Sequence, residues 1–210
     1  QKLLDELGKR NIPLIEDAAE ALGSSYKGVR AGKFGIGGVH SFHRTKTIAT
    51  GEGGILLLDD DKLFERAKFL RDHGRSSEIP YFTLEATPKY MPNNLQASMA
   101  WAQFQRIDEL VNRKRYFLHR YKENLKDIPD LQFNLENDDV VNGVWATTLV
   151  FGESHDITKL EAISKLFKLD VPARPFFYPL SSLPAYEHYC TGSKEENPHA
   201  FDISERGITL

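Results

Sequence analysis

The segment QKLLDELGKR is followed after one residue by IPLIEDAA. Leu3, Leu4 and Leu7 recur at helical spacing, so residues 1–10 read as an amphipathic helix. Residues 12–19 read as a short buried strand with acidic residues towards its carboxyl end. A helix running closely into a strand is the rhythm of a parallel α/β sheet. In such sheets ligands gather beyond the carboxyl ends of the strands, and this reading puts Asp17 there.

The α/β rhythm continues. GGVHSFH (37–43) and GGILLLDD (53–60) are further strand candidates, and residues 61–73 read as a helix with Leu63, Phe64, Ala67 and Leu70 inward. Residues 75–92 read as irregular, broken by Pro80, Pro88 and Pro92. A long helix is expected from about 94 to 126, its apolar stripe made by Ala97, Trp101, Phe104, Ile107 and Val111. After Pro129 the pattern changes. VWATTLVFG (144–152) reads as a strand, and DITKLEAISKLFKLD (156–170) as an amphipathic helix with Asp156 at its N-cap. VPARPFFYPL (171–180) reads as a strand entering a proline-bounded loop. Two domains are expected, 1–126 with the long connecting helix and a smaller α+β region, 127–210.

A chain of 210 residues, 40% hydrophobic and 27% charged, is ample for such an arrangement. A net charge of −3 without a Lys/Arg-rich run argues against a nucleic-acid surface. The single cysteine, Cys190, excludes an internal disulfide framework and fits a reducing compartment, so a cytoplasmic location is expected. No apolar run reaches the length of a membrane helix and no signal peptide is visible. The chain starts at Gln1 without a methionine, inside a helical segment, and is expected to be a piece of a longer protein.

The least ordinary stretch is SFHRTKTIATGEGG, Ser41 to Gly54, with Lys46 between a strand end and a glycine-rich turn. Local pattern leaves three roles for Lys46: a solvated loop lysine, a phosphate ligand or a nucleophile. The phosphate-loop string GxxxxGK[ST] is absent, and the dinucleotide string GxGxxG fails because His40 stands at its last position after Gly35 and Gly37. TGEGG by itself reads as a turn needing positive φ. His40 and His43, three apart on a strand, should point to opposite faces, and His188 with Cys190 lacks a second pair, so metal ligation is weakly supported. No GxSxG string supports serine nucleophilic chemistry.

Taken in order, IEDAAEALGS, SFHRTKTIATGEGG, RDHG and NLQASMAWAQ resemble the DegT/DnrJ/EryC1/StrS family of pyridoxal-phosphate sugar aminotransferases. The likeness runs from about Pro13 to about Tyr186. It implies an α/β fold of the PLP-dependent transferase type I class, aspartate-aminotransferase-like. It also implies that the phosphate-binding Gly-Thr/Ser turn and a ring-stacking residue lie upstream of these motifs. RPFFYPL resembles the perosamine-synthase branch, which aminates the 4-keto group of GDP-4-keto-6-deoxymannose.

The resemblance assigns Lys46 as the lysine that forms an imine with pyridoxal 5'-phosphate and then shuttles a proton. It assigns Asp17 to the pyridine nitrogen, through a charge-assisted pair that keeps the ring an electron sink. Ser41, five residues before Lys46, matches the phosphate-binding serine. Glu20 stands at the position that contacts the ring's phenolic oxygen, where the family often has Gln or His. A carboxylate there repels a phenolate unless it shares a proton. Arg44 replaces a usual small residue and is expected to point to solvent. Lys89 aligns with an asparagine that reaches the partner subunit's cofactor phosphate. Arg174 and Tyr178 are the candidate substrate contacts. The implied partners are a nucleotide-sugar and glutamate/2-oxoglutarate, and the implied assembly is a homodimer. A related sugar dehydratase carries histidine in place of the lysine, so Lys46 argues against it; a non-catalytic sensor keeping the fold is the remaining alternative.

Overall fold

The structure is a computed structural model that describes residues 1–189 and 193–210, so Cys190 lies outside the described residues. In chain order the helices are α1 (Lys2–Lys9), α2 (Asp61–Leu70), α3 (Asn94–Phe104), α4 (Ile107–Asn124), α5 (Lys159–Phe167), α6 (Ser193–Glu196) and α7 (Pro198–Arg206). The strands are β1 (Ile15–Asp17), β2 (Ser25–Tyr26), β3 (Val29–Arg30), β4 (Gly37–Ser41), β5 (Gly54–Leu57), β6 (Leu131–Phe133), β7 (Val140–Val141), β8 (Thr148–Phe151), β9 (Arg174–Pro175) and β10 (Gly207–Thr209). The chain forms two compact units, Gln1–Arg113 with Asn137–Trp145, and Lys114–Glu136 with Ala146–Leu210. The division falls inside α4, and the segment carrying β7 returns to the first unit.

In the first unit β1 pairs in parallel with β4, with Asp17 opposite Val39. The expected parallel pairing is therefore present. β5 then pairs antiparallel to β4, with Ser41 opposite Gly54. A connection of this length without a crossover helix can only reverse direction. β2 and β3 form a hairpin whose two turn residues, Lys27 and Gly28, both have positive φ, and β7 adds to the free edge of β2. Glu16, next to Asp17, is spent on structure: its carboxylate accepts N–H groups from Gly32 at 2.9 Å, Gly35 at 3.1 Å and Phe34, which folds the loop before β4.

That loop passes so close to β4 that a Cβ on Gly38 would run into the backbone of Gly32. Gly38→Ala is expected to destabilise the protein by about 1–3 kcal/mol, as overpacking at a rigid contact does. A urea titration checks it; an unchanged midpoint would mean that the loop does not lie against β4.

The expected long helix is two helices. Arg106 N–H bonds back three residues to Gln103 O at 3.0 Å, tightening the turn between α3 and α4. The apolar stripe is also not uniformly covered: Trp101 is 65% and Phe104 53% exposed, whereas Val111 is buried. Leu63 and Phe64 of α2 are likewise exposed, with Ala67 and Leu70 half-buried. Arg66 of α2 holds the following loop by forking Glu85 at 2.6 and 2.7 Å, and these bonds lower the Glu85 carboxyl from its ordinary value.

The second unit is an antiparallel sheet in the order β6-β8-β10-β9, with Leu118, Leu149, Ala162 and Ile208 buried. The expected strand over 171–180 shrinks to β9, because prolines 172, 175 and 179 cannot donate to a ladder. Thr158, not Asp156, caps α5, in a reciprocal box with Glu161, while Asp156 takes a left-handed conformation before it. Among the described residues no helix is long and apolar enough to cross a membrane.

Candidate active site

Because β1 and β4 run in parallel, their carboxyl ends lie on one edge of the sheet. Asp17 ends β1 and Ser41 ends β4. Ala18 N–H extends the pairing to Val39 O at 2.9 Å, after which the chain turns and Asp17 Oδ1 accepts Ala19 N–H at 3.0 Å. Asp17 Oδ2 accepts no hydrogen bond among the described residues. On the neighbouring strand Ser41 Oγ accepts His43 N–H at 3.1 Å, and its own proton is donated to no described residue. Both groups keep hydrogen-bonding capacity at the place where α/β sheets bind ligands.

The segment from Ser41 to Gly54 folds as a closed loop. Phe42 N–H bonds to Gly53 O at 2.9 Å, Arg44 N–H to Gly51 O at 2.9 Å, and Thr50 N–H to Phe42 O at 2.8 Å. Gly51 at φ +83° and Gly53 at φ +138° make the reversal, as the TGEGG turn requires. Gln103 of α3 brackets Ala49, donating to its carbonyl at 2.8 Å and accepting its N–H at 3.0 Å, and Gln96 donates to Glu52 O at 3.0 Å. Both glutamines lie in NLQASMAWAQ, whose part in the site is to brace the loop that carries Lys46.

Lys46 is not a solvated loop lysine. Its side chain is 13% exposed, its Nζ donates to Glu20 Oε1 at 2.6 Å, and the same Nζ stands 4.3 Å from the centroid of the Trp145 ring. Trp145 Nε1–H donates to Thr45 O at 2.9 Å, fixing the ring against the residue before the lysine. Glu20 is half-exposed, so this is a charge-assisted pair between a shielded amine and a carboxylate open to solvent. Trp145 carries no signal in the sequence: it lies 100 residues from Thr45, in a stretch whose pattern is that of a strand start.

The structure thus brings Lys46 and Glu20 into contact and places Asp17 and Ser41 on the same sheet edge. Arg44 is exposed and its guanidinium meets no described residue, as expected for a solvent-facing side chain. Lys89 is exposed in the loop before α3, in a backbone bridge with Asp72, and its ammonium contacts none of the four residues just named. Arg174 and Tyr178 belong to the second unit. Arg174 pairs through its backbone with Thr209, and its charge, after burial, helps push the Lys114 ammonium below its ordinary value. The Tyr178 ring lies 3.9 Å from the Nζ of the buried Lys159. His40 is buried in β4, while His43 lies beyond the strand and meets Thr45 Oγ1 at 3.0 Å. Among the described residues no group of His, Cys, Asp and Glu could hold a metal.

An amine of restricted exposure, a carboxylate with a free oxygen and a hydroxyl with a free proton suit a carbonyl, a cationic ring N–H and a phosphate oxygen respectively. The donor set therefore fits pyridoxal phosphate. The DegT/DnrJ/EryC1/StrS aminotransferase family matches residues 2–210. The chain is 31% identical to GDP-perosamine synthase of Vibrio cholerae over 210 residues, 100% of this chain and 56% of that protein. It is 33% identical to GDP-perosamine synthase of Escherichia coli O157:H7 over 98% of this chain and 54% of the relative. The chain thus spans about half the length of these relatives. The aminotransferase TlmJ from Streptoalloteichus hindustanus superposes with a TM-score of 0.85 at 25% identity, covering 99% of this chain and 55% of that one. Pyridoxal-phosphate and pyridoxamine-phosphate forms of a Streptococcus pneumoniae protein described as a sugar aminotransferase, each 24% identical, superpose with TM-scores of 0.84 and 0.85 over 95% of this chain and 52% of theirs, so the chain shares their α/β fold. With its motifs, its fold and nearly its whole length in agreement, the chain belongs to the DegT/DnrJ/EryC1/StrS aminotransferase family.

Proposed function

We propose that this chain carries the reactive lysine of a sugar-nucleotide aminotransferase. The enzyme moves an amino group from L-glutamate to the 4-keto carbon of a nucleotide-linked 4-keto-6-deoxyhexose. The observation that carries this reading is the shielded Lys46 amine bonded to Glu20 beside the strand-end Asp17 and Ser41. Pyridoxal phosphate supplies the electron sink for the transfer. Lys46 Nζ would hold the cofactor at its carbonyl carbon and would carry the proton at the reacting carbon. Asp17 would hold its ring nitrogen, Ser41 its phosphate, and Glu20 would lie by its ring oxygen. Arg174 and Tyr178 contact substrate, Lys89 reaches the partner subunit's cofactor phosphate, and the assembly is a homodimer working in the cytoplasm. A dehydratase without the lysine is disfavoured by Lys46 itself.

The two relatives named GDP-perosamine synthase support a GDP-linked sugar, here GDP-4-keto-6-deoxymannose, as the acceptor, and a Bacillus subtilis relative named for spore coat polysaccharide biosynthesis supports a surface glycan as the destination. The test is amination of GDP- and dTDP-linked 4-keto-6-deoxyhexoses with glutamate by the intact, cofactor-loaded protein. A GDP preference of roughly tenfold or more is expected, the worth of one well-made contact set. Preference for dTDP would overturn the nucleotide assignment, and amination of neither would overturn the activity.

A further inference from the structure

The residues that place Trp145 against Lys46 form a strap with more anchoring than a surface loop needs. β7 pairs with β2, and Gly143 N–H donates to Ser24 Oγ at 2.8 Å. A Cβ on Gly143 would collide with the Leu22 carbonyl, so only glycine allows this approach. Val144 is 1% exposed and sits at φ +55°, a costly conformation for a β-branched residue, with its N–H turned onto Asn142 Oδ1 at 2.8 Å. One residue later Trp145 is tied through Nε1 to Thr45 O and faces the Lys46 ammonium at 4.3 Å. Strain of this kind persists only where the surroundings over-determine it, and here it aims one ring at one amine.

We propose that Trp145 is a positioning residue: its ring, with Glu20, presets the Lys46 Nζ for attack on a carbonyl carbon. This rests on the reading of Lys46 as the reactive amine. A free lysine side chain has four rotatable bonds, and ordering it in advance removes an entropic cost from the bond-forming step. A leucine at 145 would keep apolar bulk but lose both the aromatic face and the bond to Thr45, whereas phenylalanine would keep the face.

The test measures the rate at which Lys46 is captured by pyridoxal phosphate and trapped with borohydride, by peptide mapping of the intact protein. Trp145→Leu is expected to slow capture roughly tenfold and Trp145→Phe by no more than about threefold, the difference that ordering one long side chain makes. Equal rates in the unsubstituted protein and Trp145→Leu would overturn the proposal. Absence of any Lys46 adduct in the unsubstituted protein would instead overturn the aminotransferase reading. A second readout leaves Trp145 in place. In a background where Trp101 and any tryptophan outside these 210 residues are replaced by Phe, the emission reports Trp145, and Lys46→Met, which keeps length and removes charge, is expected to change it. Superimposable spectra would also overturn the proposal.

Discussion

Lys46→Met is expected to lower transamination by at least about 10³-fold while the protein stays folded, because one side chain serves both as covalent nucleophile and as proton carrier. Lys46→Arg should fail equally, since a guanidinium keeps the charge next to Glu20 but does not attack a carbonyl at neutral pH. Stability should change little. Glu20, the partner left behind, is half-exposed and rehydrates, so the lost pair is worth little to the fold. Steady-state rates and a urea titration on the same variant separate the two effects. A variant that retains a tenth of the activity would mean that another amine does the chemistry.

Asp17→Asn is expected to cost about 10²–10³-fold in kcat, the range seen when one charge-stabilising group is removed from a preorganised site. The amide oxygen can still accept Ala19 N–H, so the turn after β1 keeps its bond and the parallel pairing with β4 is untouched. What is lost is the negative charge that holds a ring nitrogen protonated. The variant should still give a borohydride-trapped adduct at Lys46, because capture of the carbonyl does not require that charge. Wild-type kcat in Asp17→Asn would remove Asp17 from the ring nitrogen and leave it as the cap of the turn.

The strand-end placement of Asp17 and Ser41 was legible because short apolar runs bounded by turn residues mark strands, and strand ends mark ligand edges. The brace from Gln96 and Gln103 was visible only as part of a motif; its use depends on α3 lying along the Lys46 loop. Trp145 was not legible, since its contact with Thr45 spans a sequence separation that no local pattern encodes. The break between α3 and α4 was hidden because apolar spacing carries through Gln105 and Arg106 without a proline or glycine. For Trp101 and Phe104, periodicity showed which residues share a face but not what covers that face. At α5 the expected cap, Asp156, is displaced by Thr158, because the reciprocal box between Thr158 and Glu161 starts the helix two residues later.

The central claim is that Lys46 is the amine that bonds the cofactor. Loading the intact protein with pyridoxal phosphate, reducing it with borohydride and sequencing the modified peptide tests this directly. One modified residue is expected, Lys46, in the peptide that contains HRTKTIATGEGG, with loss of that adduct in Lys46→Met. Modification at a different lysine, or a protein that binds the cofactor and yields no adduct, would contradict it.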